Sequence, residues 1–529
     1  MEGTFLYSRM RIALIQPPIE DFYSSPQRTY PLGLTYLAAA CRDLPVDVEI
    51  IDLMTSHGRY MLPVPDAFRS VISYLPYDRA PIAAFHTYYH FGASWKWIAD
   101  HFKHNFYDIC AISSNFYTYS EEVLKTAETI KSVSPVSTVI VGGQNVGPYH
   151  DLFTSSPYID HCIRGEAELS FRQWISVLLG DGTTTDHIPG IWDPGHNKWN
   201  PPVIAGTYCL SPDIGTLPVN AYRIAGKPAI MLSTSRGCPA GCRFCVVSRT
   251  FGSALRTKSV DQVLIEMQTA YDRGIRVFDI EDDNFSLKRS HCITLLDEII
   301  RTFKGNIECY AMNGLSAEHL DEEIIDRLLK ANFKLLNISL ATVSVEHLQA
   351  LHRHTDISHF VRIARYAGKM GLKTIGHYIA GLPGQSLSEV LASMRLLAEL
   401  PLILGISPFY YIPGMDLSVP HVPVSCKEAR LTRFFPVDDH LDERDLITLF
   451  RLSRWINYLK KQLLKKSLVS LAFNDIPSVF PDDLFLRSLV DNGKIIGVDR
   501  QNNLFDHNVS GTVIRSFRDL FRDTIIYCA

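Results

Sequence analysis

The chain has little charge imbalance and no long apolar run. Its 52 Lys and Arg residues nearly balance 56 Asp and Glu residues, and the net charge of −4 gives no sign of a general nucleic-acid binder. No stretch approaches about 18 consecutive apolar residues, so the sequence predicts no membrane span. The N-terminus also lacks the charged and then apolar layout of a signal peptide, which favours a cytoplasmic protein.

A second C-x-x-C pair is missing as well. The chain has 11 cysteines in 529 residues, which without a signal peptide is typical of a reducing compartment. Cys238, Cys242 and Cys245 stand together in the stretch SRGCPAGCRFCVVS. A structural zinc site would need a fourth ligand, usually from a second pair. Three thiolates instead suit a [4Fe–4S] cluster that leaves one iron open to a ligand.

Two regions of the chain alternate short apolar runs with helical patterns. In residues 11–180 the predicted strands are Arg11–Pro17, Val48–Leu53, Ile109–Ser113 and Thr138–Val141. In residues 230–412 they are Ile230–Ser233, Val277–Ile280, Ile307–Tyr310, Leu335–Leu340, Thr374–Ile379 and Leu404–Phe409. Such alternation predicts an α/β protein with parallel sheets, which bind ligands beyond the C-terminal ends of their strands.

The spacing C-x3-C-x-aromatic-C, with Phe244 before the last cysteine, resembles the signature of radical S-adenosylmethionine (SAM) enzymes. The resemblance implies that Cys238, Cys242 and Cys245 hold a [4Fe–4S] cluster. The open iron would chelate SAM, and an external donor of the flavodoxin or ferredoxin type would reduce the cluster. Reductive cleavage of SAM would then give a 5′-deoxyadenosyl radical.

Polar groups after the predicted strands are the expected SAM contacts. Glu281, Asp282 and Asp283 follow the second strand of the region, where carboxylates accept hydrogen bonds from the ammonium of SAM. Asn337 and Ser339 are candidates for the ribose hydroxyls. The resemblance adds further contacts, which are Phe244, Asn313, Gly381, Pro383 and Gly384. Gln385 and Met415 depart from the Glu and Thr that the family usually has in these loops.

The N-terminal region resembles the cobalamin-binding domain of cobalamin-dependent radical SAM enzymes. The matching pieces include PLGLTYLAA, ICAISSN, VIVGGQN and CIRGEAE. The expected cobalamin contacts are Pro17, Ser113, Ser114, Asn115, Gly142, Gly143, Gln144, Gly165 and Glu166. The D-x-H-x-x-G motif that supplies a histidine to cobalt elsewhere is absent, because Asp52 and His57 have the wrong spacing. A Rossmann-like domain without a cofactor, serving packing or substrate binding, is the alternative.

The predicted architecture has four parts. Residues 1–180 form a Rossmann-like, doubly wound parallel sheet, and 181–229 form a linker dense in turn residues. Residues 230–415 form the partial (βα)6 barrel that the resemblance implies, and 416–529 form a mainly helical region. In that last region a stripe of leucine and isoleucine predicts a helix, with Lys460, Lys461, Lys465 and Lys466 on its solvated face. The aromatic residues of 55–106 favour an ordinary packed helix.

The resemblance implies cobalamin-dependent methylation of an unactivated carbon in a small-molecule or peptide substrate. Two alternatives stay open. The same scaffold supports non-methylating radical rearrangement, cyclisation or C–C coupling, with or without cobalamin, and product analysis separates these reactions. A non-catalytic iron–sulfur or zinc scaffold is the other alternative, which metal analysis and a SAM-cleavage assay distinguish.

The cluster assignment predicts the outcome of single cysteine replacements. Cys238→Ala, Cys242→Ala and Cys245→Ala each remove one of three thiolates, so each variant is expected to abolish 5′-deoxyadenosine formation. Cys209→Ala serves as the control and is expected to retain it. The measurement is chromatographic detection of 5′-deoxyadenosine after anaerobic reduction with SAM. Substantial product from any of the first three variants would break the cluster assignment.

Overall fold

The computed structural model of the chain describes residues 9–22, 30–55, 57–147, 151–195, 197–202 and 210–528. The elements of the N-terminal region, in chain order, are β1 (Met10–Gln16), β2 (Ile19–Asp21), α1 (Leu32–Ala40), β3 (Val46–Asp52), β4 (Arg59–Met61), β5 (Tyr89–Phe91), α2 (Trp95–His104), β6 (Ile109–Ser113), α3 (Ser120–Val133), β7 (Thr138–Gly142), β8 (His161–Ile163) and α4 (Ala167–Leu178). Among them β8 was not predicted from the sequence, because its three residues are too few to show a pattern.

A five-stranded parallel sheet in the order β3-β1-β6-β7-β8 organises this region. Alternate residues of β1 pack on opposite faces: Ile12 and Leu14 lie with α1 and α4, and Ala13 and Ile15 lie with α2 and α3. The chain runs outward from β1 in one direction and from β6 in the other. The strand order therefore reverses between β1 and β6, which is where parallel sheets of this kind open a crevice for ligands.

Residues 55–106 contain more than the packed helix that was expected. Only α2 fits that prediction, and β4 and β5 join β2 in a small antiparallel sheet. Next to this sheet, the ring of Phe22 meets those of Phe68 and Tyr88 edge to face, with centroid separations of 5.1 Å and 5.2 Å. The aromatic residues form a core between sheet and loops rather than a helix face.

The central region contains every strand predicted for it. Its elements are β9 (Trp192–Asp193), β10 (Lys198–Trp199), β11 (Arg223–Ile224), β12 (Lys227–Leu232), β13 (Ser235–Arg236), α5 (Val247–Phe251), β14 (Arg256–Thr257), α6 (Val260–Asp272), β15 (Val277–Ile280), α7 (Arg289–Phe303), β16 (Glu308–Tyr310), α8 (Glu322–Lys330), β17 (Leu336–Ala341), α9 (Val345–Ala350), α10 (Ile357–Lys369), β18 (Thr374–Ala380), α11 (Leu387–Ala398) and β19 (Ile403–Pro408). The largest difference between a predicted and an observed strand boundary is at β12, which begins at Lys227 rather than at Ile230.

These strands form two parallel groups in chain order. β12, β15 and β16 pair in one sheet, and β17, β18 and β19 pair in another. An isolated parallel bridge between Leu315 and Ile338 connects the two groups. The carboxyl ends of the six strands therefore lie at one edge, which is called the mouth below, and the helices pack on the strands in one large apolar core.

The C-terminal region is mainly helical. Its elements are α12 (Glu443–Lys465), β20 (Ser470–Ala472), α13 (Ile476–Val479), α14 (Leu484–Asn492), β21 (Ile496–Val498), β22 (Leu504–Asp506), α15 (Gly511–Phe521) and β23 (Ile525–Tyr527). The prediction for Lys460 was wrong, because this residue is 1% exposed and its Nζ donates to the carbonyls of Leu397 and Leu400. Burial lowers the pKa of Lys460 to about 7. Among the residues described, no helix combines the length and apolarity needed to cross a membrane.

A buried ion pair joins the C-terminal segment to the N-terminal sheet. Arg430 and Glu122 are 1% and 2% exposed, and the guanidinium donates to the carboxylate of Glu122. Arg430 Nε also donates to the carbonyl of Thr118 at 3.1 Å. Nearby, the hydroxyl of Thr432 donates to Asp21 at 2.6 Å. The segment before α12 is thus held across the strand ends of the first region.

Removal of the Glu122 carboxylate should destabilise the protein strongly. Glu122→Ala leaves the buried guanidinium of Arg430 without its counter-charge, which costs about 3–5 kcal/mol. We expect a lower urea concentration at the midpoint of unfolding, followed by circular dichroism. Glu128→Ala, on the same helix α3 but in an exposed pair with Lys125, is the control and should leave the midpoint unchanged within error. Equal midpoints for both variants would contradict the proposed importance of the buried pair.

Candidate functional site

The three cysteines lie on a loop that leaves β12 at the mouth of the strands. The short strands β13 and β14 pair through Ser235–Thr257 and Arg236–Arg256 and close the base of this loop. Gly237 has a φ of +89°, and a Cβ there would lie 2.4 Å from the carbonyl oxygen of Ala254. Only glycine therefore allows the two sides of the loop to approach so closely. Cys242 is 8% exposed, and Cys238 and Cys245 are half-buried.

Burial affects the protonation of the thiols on this loop. Burial raises the pKa of the Cys245 thiol to about 11 and also raises the pKa of Cys238, so thiol protons must leave when metal binds. Among the described side chains, no three of His, Cys, Asp or Glu converge closely enough to hold one metal ion.

The two aspartates after β15 have different surroundings. The carboxylate of Asp282, which is 2% exposed, accepts hydrogen bonds from Thr234 N at 2.6 Å, Thr234 Oγ1 at 2.5 Å and Ser235 Oγ at 2.7 Å. Its oxygens hold the start of the cysteine loop, so the structure does not leave them facing a ligand as the sequence predicted. Asp283 lies nearer the cysteines, and burial raises its pKa to about 6.

The outer part of the cysteine loop is held by neighbouring loops. Arg243 donates from its backbone to the carbonyl of Leu351 at 3.0 Å and from Nε to the carbonyl of Asp416 at 2.8 Å. Phe244 packs against a small apolar cluster that contains Leu382 and Met415. Met415 is 9% exposed there, which gives a packing reason for an apolar residue at the position where the family usually has Thr.

The loop after β18 is organised by the side chain of Gln385. Its Oε1 accepts from the backbone N–H groups of Gly381 at 2.9 Å and Leu382 at 3.2 Å, and its Nε2 donates to the carbonyl of Ile379 at 3.2 Å. Gln385 is fully buried. An amide supplies both the acceptor and the donor, whereas a carboxylate supplies only acceptors. This chain therefore has a physical reason for Gln in place of the usual Glu.

The same loop has a second support that sequence reasoning missed. His347 on α9 contacts Glu389 Oε1 through Nδ1 at 2.9 Å and the carbonyl oxygen of Pro383 through Nε2 at 3.2 Å. Burial tends to raise the pKa of Glu389, but the hydrogen bonds with His347 and the Ser386 backbone outweigh it and lower the pKa to about 2. Gly384 donates its N–H to Asp438. No motif signals these partners, because they come from elements far apart in the chain.

The remaining SAM candidates occupy the same mouth with different exposure. Asn313 is exposed, and its Nδ2 donates to the backbone carbonyl of Glu281 at 3.1 Å. Ser339 is half-buried beside a β-bulge of β17, and its carbonyl accepts from Arg353 at 3.1 Å. Asn337 was predicted to reach a ribose, but its amide instead contacts His377 and the carbonyl of Ala311.

In the strand-end loops of the N-terminal sheet, too, some predicted site residues are held by protein partners and others are exposed. Gly143 has a φ of +127°, and a Cβ there would lie 2.4 Å from the carbonyl oxygen of Ser114, so the glycine serves the contact between two loops. The Ser114 hydroxyl accepts from Asn145 Nδ2 at 2.9 Å. Asn115 and Gln144 are exposed at the edge of the crevice. At the same edge Pro17 is buried, and three further residues are half-buried, namely Ser113, Gly142 and Gly165.

Glu166 does not face the crevice as the cobalamin assignment predicted. Its carboxylate, 6% exposed, receives Arg256 Nη1 at 2.9 Å, and Arg236 approaches it at 3.5 Å. Arg236 also pairs with Glu168 at 2.6 Å. Because Arg236 and Arg256 stand on β13 and β14, the N-terminal sheet is fixed directly to the base of the cysteine loop. Isolated arginines carry no signal by which the sequence could have revealed this junction.

Comparison with protein families gives a match over the region just described. Residues 232–397 match the sequence model of the Radical SAM superfamily. The matched segment begins at the last residue of β12 and contains all three clustered cysteines, both loops at Asp282 and Gln385, and β18.

Known proteins similar to the chain include several methyltransferases. It is 24% identical over 428 residues to cytidylyl-2-hydroxyethylphosphonate methyltransferase of Streptomyces wedmorensis, covering 72% of this chain and 76% of the relative. It is 22% identical over 421 residues to hopanoid C-3 methylase of Methylococcus capsulatus, covering 77% and 72%. These alignments extend well beyond the matched superfamily segment.

Solved structures show the same fold over most of the chain. The radical SAM methyltransferase TsrM of Kitasatospora setae, with cobalamin and a [4Fe–4S] cluster bound, aligns with a TM-score of 0.57 at 17% identity, covering 78% of this chain and 74% of that one. The cobalamin-dependent SAM radical enzyme OxsB aligns with a TM-score of 0.54 at 17% identity, covering 75% and 53%.

The role of Gln385 predicts that the acidic residue usual in the family is harmful here. Gln385→Glu removes the donor to the Ile379 carbonyl and buries a carboxylate beside it, so the loop should lose its fixed conformation. The Kd for SAM on the reconstituted protein, measured by equilibrium dialysis under anaerobic conditions, is expected to rise roughly tenfold.

Gln268→Glu on the exposed face of α6 is the matched control, and it should leave the Kd for SAM unchanged. An unchanged Kd for Gln385→Glu as well would show that the hydrogen bonds of Gln385 do not position the loop.

Proposed function

We propose that this chain is a cobalamin-dependent radical SAM enzyme that methylates an unactivated carbon of a substrate bound at the barrel mouth. The superfamily match confirms the prediction from the cysteine motif and implies a [4Fe–4S] cluster, SAM and an external electron donor. The observation that carries methyl transfer is the junction at Glu166, which fixes the strand ends of the N-terminal sheet against the cysteine loop.

When bound, SAM and the cluster supply carbon-radical chemistry, and cobalamin supplies the methyl group. The protein must then hold the three groups close together and keep water away from them. Cys238, Cys242 and Cys245 would bind the cluster, since they lie on one loop closed by β13 and β14. Asp283, beside the cysteines, would accept a hydrogen bond from the ammonium of SAM.

The other SAM contacts follow from the strand ends. We assign Phe244, Glu281, Asn313, Ser339, Gly381, Pro383 and Gly384 to the SAM site, with Asp282 as a residue that positions the cysteine loop. The Gly381–Gly384 loop is supported by Gln385 and His347, so its backbone groups are fixed before a ligand arrives. A fixed loop lowers the entropy lost on binding.

The crevice between β1 and β6 fits cobalamin. It lies at the point where the strand order reverses, and at its edge Asn115 and Gln144 are exposed and Ser113 is half-buried. Glu166 and Ser114 act instead as positioning residues, because their polar atoms are held by protein partners. We infer a doubly wound cobalamin domain over residues 1–180, a linker over 181–229, a partial (βα)6 barrel over 230–415 and a helical region over 416–529.

The substrate class follows only in outline from the relatives. One is named for a cytidylyl phosphonate, another for a hopanoid, and TsrM has been solved with a tryptophan substrate. These acceptors differ in polarity and size, so the relatives have methylation in common and not the recognition of one compound. We propose a small molecule or peptide as the acceptor and a flavodoxin or ferredoxin as the electron donor.

Cofactor stoichiometry tests the proposal. The protein is produced anaerobically with hydroxocobalamin, the cluster is reconstituted, and iron and corrin absorbance are measured after desalting. We expect about one corrin per chain. Iron without corrin would leave the radical SAM family in place, overturn cobalamin-dependent methylation, and favour a non-methylating radical reaction.

Glu166→Gln tests the junction in the same measurement. The amide removes the counter-charge of Arg256, while Arg236 keeps its pair with Glu168, so the N-terminal sheet should shift from the cysteine loop and corrin retention should fall while iron content stays. Glu128→Gln, in an exposed pair on α3, is the control that should retain corrin. Equal corrin in both variants would argue against the junction as the feature that orders the cobalamin site.

A further inference from the structure

The strands of the barrel have one face toward the helices and one toward the interior. On β18, a Cβ at Gly376 would contact the side chains of Leu397 and Leu402, so this face packs against α11 and the segment after it. Tyr378 on the same face is fully buried. The alternate residues Ile375, His377 and Ile379 are half-buried and therefore point into the interior.

His377 lies beside the expected SAM site. In the parallel register it pairs with Ser339 of β17 on one side and with Gly405 of β19 on the other. Paired residues of parallel strands point to the same face, so His377 shares the interior with Ser339. The next layer toward the strand ends contains Ile379 and Ser407, which are also half-buried.

The hydrogen bonds around Asn337 determine the tautomer of His377. Asn337 Nδ2 lies 3.4 Å from the carbonyl oxygen of Ala311, which can only accept, so this end of the amide must be the donor. The opposite end, Oδ1, then faces His377 Nε2 at 3.2 Å and can only accept. The proton of the neutral imidazole is therefore on Nε2, and Nδ1 carries a lone pair.

The imidazole of His377 packs closely against the backbone of Gly405. A Cβ at Gly405 would lie 2.5 Å from Nδ1, so only glycine leaves room for the ring at this position, and the ring stays half-buried at the interior face. Within the part of the chain that the structure describes, Nδ1 has no hydrogen-bond partner. Burial lowers the pKa of His377, which favours the neutral form of the ring.

We propose that His377 is a substrate-binding residue whose Nδ1 accepts a hydrogen bond from a hydroxyl, amide N–H or ammonium group of the methyl acceptor. The inference rests on the proposed function, because it assumes an acceptor inside the barrel mouth. The flanking Ile375 and Ile379 would contact apolar carbon next to that donor group. An acceptor that lacks any hydrogen-bond donor leaves Nδ1 buried and unpaired, so the site discriminates against it.

Two isosteric replacements separate this role from a structural one. His377→Asn retains an acceptor near the position of Nδ1 and loses the contact with Asn337. His377→Gln retains a donor near Nε2 and loses the acceptor toward the interior. If Nδ1 binds substrate, KM should rise about tenfold in His377→Gln and much less in His377→Asn. The reverse order would show that His377 serves only to hold Asn337.

The turnover probes are tryptophan and cytidylyl-2-hydroxyethylphosphonate, which both carry donor groups, assayed for methylated product with the reconstituted holoenzyme. In both variants the Kd for SAM and the substrate-free yield of 5′-deoxyadenosine should stay unchanged. A loss of either would place His377 in the SAM site and overturn the proposal.

A measurement without substrate tests the role of His377 independently of the proposed methylation. Long-range proton–nitrogen NMR of histidine-labelled protein, with His377→Gln to assign the signal, reports which ring nitrogen carries the proton. A bare Nδ1 and a protonated Nε2 at pH 7 are expected. A proton on Nδ1, or a doubly protonated ring, would overturn the subsite even if the enzyme methylates. Absence of methylation with a bare Nδ1 would instead count against the methyltransferase assignment alone.

Discussion

The buried ion pairs between Glu166 and the arginines at the base of the cysteine loop are the constraint on which the rest of the site depends. Glu166, Arg236 and Arg256 have side chains 6%, 13% and 7% exposed, so none of them retains enough water to stabilise an isolated charge. The pairs are therefore stable only with all partners in place. Next to them, Lys258 is buried against Glu266 and the hydroxyl of Tyr36 on α1. The two regions expected to hold cofactors are thus joined by buried ion pairs, and separating these pairs would cost free energy.

A further contact joins the C-terminal segment to the N-terminal sheet. Arg430 reaches Glu122 and the carbonyl of Thr118, and Thr432 reaches Asp21, all at the strand ends of the first sheet. The C-terminal segment therefore lies across the strand ends of the first sheet, and Glu166 joins the same sheet to the cysteine loop. The proposed transfer of a group between cofactors and a substrate would require short and fixed distances, which two such junctions would help to maintain.

Polar residues at the strand ends have two different uses, and the residue type does not distinguish them. Asp282 and Asp283 are adjacent carboxylates, but one holds the cysteine loop through three hydrogen bonds and the other lies near the thiols. Gln385 and Ser114 likewise hold their own loops. Loops that must present backbone groups to a ligand need internal partners, because an unsupported loop would lose conformational entropy on binding.

The sequence alone determined the family resemblance and the positions of the predicted strands, and it predicted the cluster cysteines, because these depend on local spacing and apolar periodicity. Every predicted strand is present, since β-rich runs bounded by turn residues reflect backbone preference and burial. Only the tertiary structure decided which partner each polar side chain has. Glu166 is paired with Arg236 and Arg256, which are 70 and 90 residues further along the chain. Lys460 is buried rather than solvated. The tautomer of His377 depends, through Asn337, on the carbonyl of Ala311. Such partnerships come from the approach of distant segments, for which a single sequence contains no periodic signal.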